Sequence, residues 1–313
     1  MQKENTPSGL NFQHQNLEAQ DYHEANLQGA RFDGANLRGA NFRQANLLWA
    51  HLEKANLMNA DFQGANLAGA DLALSNLNQA TLAEADLHEA NLKQAHLNAA
   101  DLHGANLNTA NLSAALMEQA NLEGADLSNA VLKGALLAEA NLRNANLFNC
   151  ILTGVDLTGA DLTGADLTGS TLFAALLKDT KLEQAHLNTA DLEGSVMEGT
   201  HMQGADLSQV DVTHEGYLMA MQGNPTPMKN VDFSQANFED ANFEFTDLSN
   251  SNLEGANLQK ASLQGSNLQG SNLVDTNLTQ ADLQDARLQG AKYNASTRFP
   301  EGFTPAAYDM ILV

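Results

Sequence analysis

The chain is poor in the residues that usually anchor a disulfide, catalytic or nucleic-acid argument. Of 313 residues one is cysteine and five are proline. A single cysteine excludes a disulfide framework and suits a reducing compartment. Bases are scarce: 15 Lys and Arg stand against 38 Asp and Glu, a formal net charge of −23. That balance argues against direct binding of nucleic acid or of anionic lipid. No run of about twenty apolar residues exists, so no membrane-spanning helix is expected. The opening stretch, MQKENTPSGLNF, has no apolar signal core, and the cytoplasm is the expected location. HExxH, CxxC and a glycine-rich phosphate loop are all missing, and the nine histidines are scattered. The sequence therefore predicts no enzyme, no cofactor and no metal.

What the chain does have is a period. From Phe12 an apolar residue recurs at every fifth position through Leu17, Tyr22 and Leu27 to Val212, forty-one times without a miss. After one interruption it resumes at Phe233 and runs to Tyr293, thirteen more times. Two residues before each centre the side chain is nearly always small, mostly Ala, and the residue just before it is usually Asn or Asp. Five residues advance about 500° on a helix and form no stripe. In a straight strand an odd period sends successive centres to opposite faces. Short extended segments that bend before each new centre satisfy the pattern, giving a stack of coils in which each unit buries its apolar side only against its neighbours.

The A(D/N)LXX pattern, as in DLTGADLTGADLTG from Asp156 to Gly169, resembles the pentapeptide repeat family. The resemblance implies an all-β, right-handed, four-sided β-helix, with four pentapeptides per coil. Fifty-four repeats would then make about thirteen coils, roughly 65 Å long at the usual strand spacing. The expected organisation is a leader over 1–9, a first array over 10–212, an interrupting loop or irregular coil over 213–230, a second array over 231–293, and a C-terminal cap with a short helix over 294–313.

Given four sides, residues twenty apart are stacked neighbours. Tyr22, Phe42 and Phe62 then form one inward aromatic column, and Phe12 stacks on Phe32. Cys150 takes the small-residue position before Leu152 and reads as a buried, inert thiol. Asp156, Asp161 and Asp166 fall on three different sides, so they cannot chelate one ion. Asp166, His186 and Asp206 share a side; they read as a charge-compensated ladder, with a weak metal site or a pH-sensitive contact as the alternative. Charge is uneven along the chain. Arg31 to Lys54 holds four bases against two acids, whereas Leu182 to Glu254 holds thirteen acids against Lys229 alone.

Three departures from the pattern are the candidate contact sites. The first is an outward apolar patch: Leu116, Leu136, Leu176 and Val196 on one side, Val131 and Ile151 on the preceding side, and Phe173 just after a centre. Leu48 and Trp49 form a smaller instance. The second is the interruption, where Tyr217, Leu218, Met219, Met221, Pro225 and Pro227 make a candidate contact loop, Pro excluding regular strand. The third is the tail. There Phe299 and Phe303 are expected to plug the last coil, Thr304 and Pro305 to start a short helix through Met310, and Tyr308, Ile311 and Leu312 to add cap or dimer contacts.

The expectation is a non-catalytic acidic scaffold or regulator acting through contact with an unidentified protein partner. The resemblance implies three more specific roles. One is a DNA mimic that inhibits or protects type II topoisomerase (gyrase), as fluoroquinolone-resistance members do. Another is a homodimer formed through the C-terminal element. A third is a regulator docking on a transcription factor, known in the family from filamentous cyanobacteria.

Overall fold

The computed structural model describes residues 9–210, 212 and 228–313. It divides into two compact units, Met1–Val155 and Asp156–Val313.

In the first unit every pentapeptide repeats one local geometry. The residue before each centre bridges in parallel to the residue twenty positions on, as in Asn36 to Asn56 and Asn121 to Asn141. A turn of the chain therefore takes four pentapeptides. The Leu37 N–H donates to the Asn56 carbonyl at 2.8 Å, and the Asn56 N–H donates to the Ala35 carbonyl at 2.9 Å. Each corner is a tight turn in which the small residue donates back to the preceding centre, as Ala40 N–H does to the Leu37 carbonyl at 3.0 Å. The third residue of that turn is left-handed whether or not it is glycine: φ is 57° at Gln44 and 62° at Gly39. A positive φ confined to that position is the signature of a type II turn.

This geometry explains the composition of the repeat. The centres point inward, and from Leu27 onward those of this unit are buried. From Ala30 onward the alanines two residues earlier in this unit sit at 0–1% exposure, for example Ala50 and Ala60, where only a small side chain fits between adjoining walls. The Asn or Asp before each centre folds its side-chain oxygen over the N–H two residues on (Ser128 N–H to Asp126 Oδ1, 3.0 Å). That bond is an Asx turn, and it fixes the corner. Asn does a second job that Asp cannot: its amide donates to the side chain one coil earlier. Asn106 Nδ2 reaches Asp86 Oδ1 at 3.0 Å, and Asn121 Nδ2 reaches Asp101 Oδ1 at 2.9 Å. Along such a column Asp is an origin and Asn is the continuation. The aromatic columns stack as expected, Phe12 on Phe32 at 4.9 Å and Phe42 on Phe62 at 4.8 Å between ring centres.

The second unit follows the same rules, with one change of step. Ladder partners are twenty apart through His186 and Asp206, but His201 bridges Asp232 and Asp206 bridges Asn237, thirty-one apart. The Val212 N–H donates to the Asn242 carbonyl at 3.2 Å, and the Met228 N–H donates to the Asp247 carbonyl at 2.9 Å. Met228, read from the sequence as part of the interruption, is a fully buried centre. Residues 213–227 thus stand between two consecutive centres where four residues usually suffice. Phe233, Phe238 and Phe243 meet edge to face on three successive sides, at 5.2 and 5.1 Å.

The chain end departs from the expected helix through Met310. A single 3₁₀ turn spans Pro305–Tyr308, with Thr304 before it and Asp309 left-handed after it (φ 53°). Proline at the first position presets the turn, and the left-handed residue stops it. The chain then returns as strand β2 (Ile311–Leu312), which pairs in parallel with β1 (Lys292–Tyr293).

Candidate interaction surfaces

Within the first unit, Leu116 bridges Leu136 on one side and Val131 bridges Ile151 on the preceding side. Leu116, Leu136 and Val131 are half-buried, and Ile151 is 44% exposed. These four residues replace Asn or Asp in the ladder, so they surrender both the Asx turn and the amide donation. At Leu116 the Glu118 N–H, left without its own Asx oxygen, is taken instead by Asn98 Oδ1 at 3.1 Å. Asn98 in turn donates to the Glu118 carboxylate at 3.1 Å.

Within the second unit, Leu176 bridges Val196. Leu176 is exposed, Val196 half-buried, and Phe173 is exposed at the corner three residues before Leu176. The candidate loop residues Tyr217, Leu218, Met219, Met221, Pro225 and Pro227 lie outside the described residues. In the tail, Phe299, Phe303 and Tyr308 stack at 4.9 and 4.7 Å between ring centres, and Tyr293 meets Phe299 edge to face at 5.6 Å. Ile311 and Leu312 remain exposed, at 48% and 65%.

Other large apolar side chains also reach solvent: Phe148, Leu74 and Phe245, all in corner positions. Their signal in the sequence is a bulky apolar residue in the two positions after a centre, where polar residues and glycine prevail. Trp49 belongs to the same class. Its indole lies over Gly69, where an added Cβ would meet the indole Cδ1 at 2.5 Å.

Asp166, His186 and Asp206 do stack as consecutive rungs. Burial works to raise the Asp206 carboxyl, but donors from Asn188, Ser208 and Asn237 outweigh it and hold the group below its ordinary range. The Asn188 amide is 2.8 Å away, and the Ser208 N–H and Asn237 amide are each 3.1 Å away. Among the described residues no three His, Cys, Asp or Glu side chains converge as ligands for a metal ion. Cys150 is buried, its Sγ donating to the Leu127 carbonyl at 2.9 Å, and burial pushes its thiol up to about 12. No described helix is long and apolar enough to cross a membrane.

The repeated turn, the twenty-residue ladder and the Asx columns recur over nearly the whole described chain, and the sequence profile for pentapeptide repeats matches eight times, from residues 23–57 through 256–292. The chain belongs to the pentapeptide repeat family. Its fold is the family's right-handed β-helix. Among solved structures, HetL from Nostoc sp. strain PCC 7120, a pentapeptide repeat protein involved in heterocyst differentiation regulation, is 29% identical. The match covers 76% of this chain and 89% of HetL, with a TM-score of 0.29. A second Nostoc pentapeptide repeat protein is also 29% identical, over 41% of this chain and 84% of its own, with a TM-score of 0.22. QnrB1, a plasmid-mediated fluoroquinolone resistance protein, is 16% identical over 64% of this chain and 82% of its own, with a TM-score of 0.28. A comparison with curated proteins finds no match.

Proposed function

We propose that this pentapeptide repeat protein is a non-catalytic scaffold or regulator that works by binding another protein through its outward apolar rungs. The observation that carries this reading is the substitution of Leu, Val and Ile into ladder positions whose usual Asn or Asp makes two hydrogen bonds. Leu116 with Leu136, Val131 with Ile151, and Leu176 with Val196 each form such a rung. Each gives up bonds worth about 1 kcal/mol apiece, while its own side chain stays partly in water. A chain selected for stability alone has no reason to keep them. Buried against a partner, each is worth roughly 1.5–3 kcal/mol.

Changing Leu116, Leu136, Leu176 and Val196 to Asn tests it. The variant should melt at or slightly above the parent, because the substitutions return the repeat's preferred residue. It should lose partners that the parent retains in a quantitative pull-down from native lysate. A variant that keeps every partner with an unchanged melt refutes the proposal. The exposed tail residues Ile311 and Leu312 fit a homodimer contact at the C-terminal element.

A second reading is favoured by charge. With 38 acids against 15 bases, the surface suits a mimic of DNA that occupies the DNA site of a type II topoisomerase.

A further inference from the structure

One wall of the first unit carries no Asp, Glu, Lys or Arg on its rungs. They are Asn16, Asn36, Asn56, Asn76, His96, Leu116 and Leu136, each bridged to the next. The other three walls all hold aspartate, such as Asp61, Asp86 and Asp71. The charges of this wall stand instead along its two corners, and they are opposite in sign. On the corner that enters the wall, Asp33 lies at the level of Asn36, and Lys93 and Lys133 lie at the levels of His96 and Leu136. On the corner that leaves it, Arg38 follows Asn36, while Glu118 and Glu139 follow Leu116 and Leu136. Glu53 is ion-paired with its neighbour Lys54, which leaves their level neutral. From the Asn36 rung to the Leu136 rung the wall and its corners thus hold four acids and four bases, in a chain of −23. Corner residues stack in columns as the rungs do: the Ala114 N–H donates to the Lys133 carbonyl and the Ala99 N–H to the Glu118 carbonyl, both at 2.9 Å. Arg38, Lys93, Lys133, Glu118 and Glu139 are exposed, and none is ion-paired among the described residues.

This pattern complements itself. A second copy turned about an axis parallel to the stack meets wall with wall, keeps every rung at its own level and exchanges the two corners. Asp33 then faces Arg38, Lys133 faces Glu118 and Glu139, and each contact occurs twice. The apolar side chains select this axis. An axis along the strands would also oppose unlike charges, but it sets Leu116 and Leu136 against Asn56 and Asn36. The stack axis sets leucine on leucine, and it turns Leu74, 45% exposed at the entering corner, toward the corner that carries Met58. We infer that this wall is a self-association surface, seated on the same wall of a second copy about a two-fold axis parallel to the stack. Leu116 and Leu136 thereby gain a named occupant, which rests on the reading of those rungs as contacts. Six rungs span roughly 25 Å at the usual strand spacing. An interface that small makes a weak dimer, and its exposed charge pairs set partner and register more than strength.

The full chain should therefore sediment at 33.4 kDa in the micromolar range and at twice that mass as concentration becomes submillimolar. Lys133→Glu should abolish the dimer, because acid then faces acid. Glu118→Lys with Glu139→Lys should abolish it too, because base then faces base. An equal mixture of these two variants should dimerise again, since both contacts once more oppose unlike charges. Ile311→Glu with Leu312→Glu should leave the parent dimer intact. If either charge variant melts early, Leu136→Asn decides in its place: it returns the repeat's own residue and should give a stable monomer. A parent that stays monomeric at submillimolar concentration overturns the inference. So does a mixture of folded charge variants that stays monomeric, or a dimer removed only by the tail substitutions. The charge exchanges leave every apolar rung in place and are read on purified protein, so this inference and the pull-down reading fail separately.

Discussion

Asn106→Asp is nearly isosteric and should nonetheless destabilise the first unit, because Asn106 lies between Asp86 and Asp126 in one column. Its amide donates to Asp86 Oδ1 at 3.0 Å, and its own Oδ1 accepts the Asn108 N–H at 3.1 Å. The substitution keeps the Asx turn and removes the amide. Losing a hydrogen bond to a charged acceptor costs about 1.5 kcal/mol, the low end of the range because the column is partly exposed. Two like charges at the strand spacing of roughly 5 Å add about 0.8 kcal/mol each at a water-like dielectric. The total is about 3 kcal/mol, or roughly 6–12 °C in Tm for a unit of this size. Asn56→Asp is the control: its neighbours Asn36 and Asn76 are neutral, so the substitution forfeits only a bond to Asn36 Oδ1 at 3.2 Å, worth about 1 kcal/mol. Thermal melts in low salt and in about 1 M salt, where the Debye length is near 3 Å, separate the two contributions. The excess loss at position 106 should shrink in high salt, and again near pH 3 where carboxylates are largely protonated. Equal losses for the two variants, or an excess indifferent to salt and pH, would refute the ladder reasoning.

Two further outcomes follow. Asp206 titrates below its ordinary value in the folded state, so its stabilising contribution is present above the unfolded carboxyl pKa and is lost as pH falls through the lower folded one. Urea midpoints taken from neutral to strongly acid pH should therefore drop less steeply for Asp206→Asn than for the parent, and parallel profiles would count against the assignment. For the topoisomerase reading, purified protein should compete with DNA for gyrase in a supercoiling assay and lose potency as salt rises; no inhibition at micromolar protein in low salt removes that reading for the gyrase tested.

How much was legible in advance depends on the range of the interaction. The inward centres, the small residue before each and the burial of Cys150 are consequences of one local turn repeated, so a five-residue pattern carries them. The four-sided coil, with its ladder offset of twenty, was implied only by family resemblance, because spacing alone does not set how many bends close a turn. Three features needed the folded chain. Exposure would rate Asn121→Asp as harmless, yet Asn121 donates to Asp101 one coil away, and only stacking shows which neighbour a polar residue faces. Met228 reads as loop because it follows two prolines; its place as a centre shows in its burial and in its N–H bond to the Asp247 carbonyl. The tail pairs Ile311–Leu312 with Lys292–Tyr293, a contact between segments whose sequences share no repeat. Sequence determined what each pentapeptide buries, since that is decided within five residues. Tertiary structure decided what each one touches, because hydrogen-bond partners twenty or thirty-one residues apart are chosen by the closure of the coil.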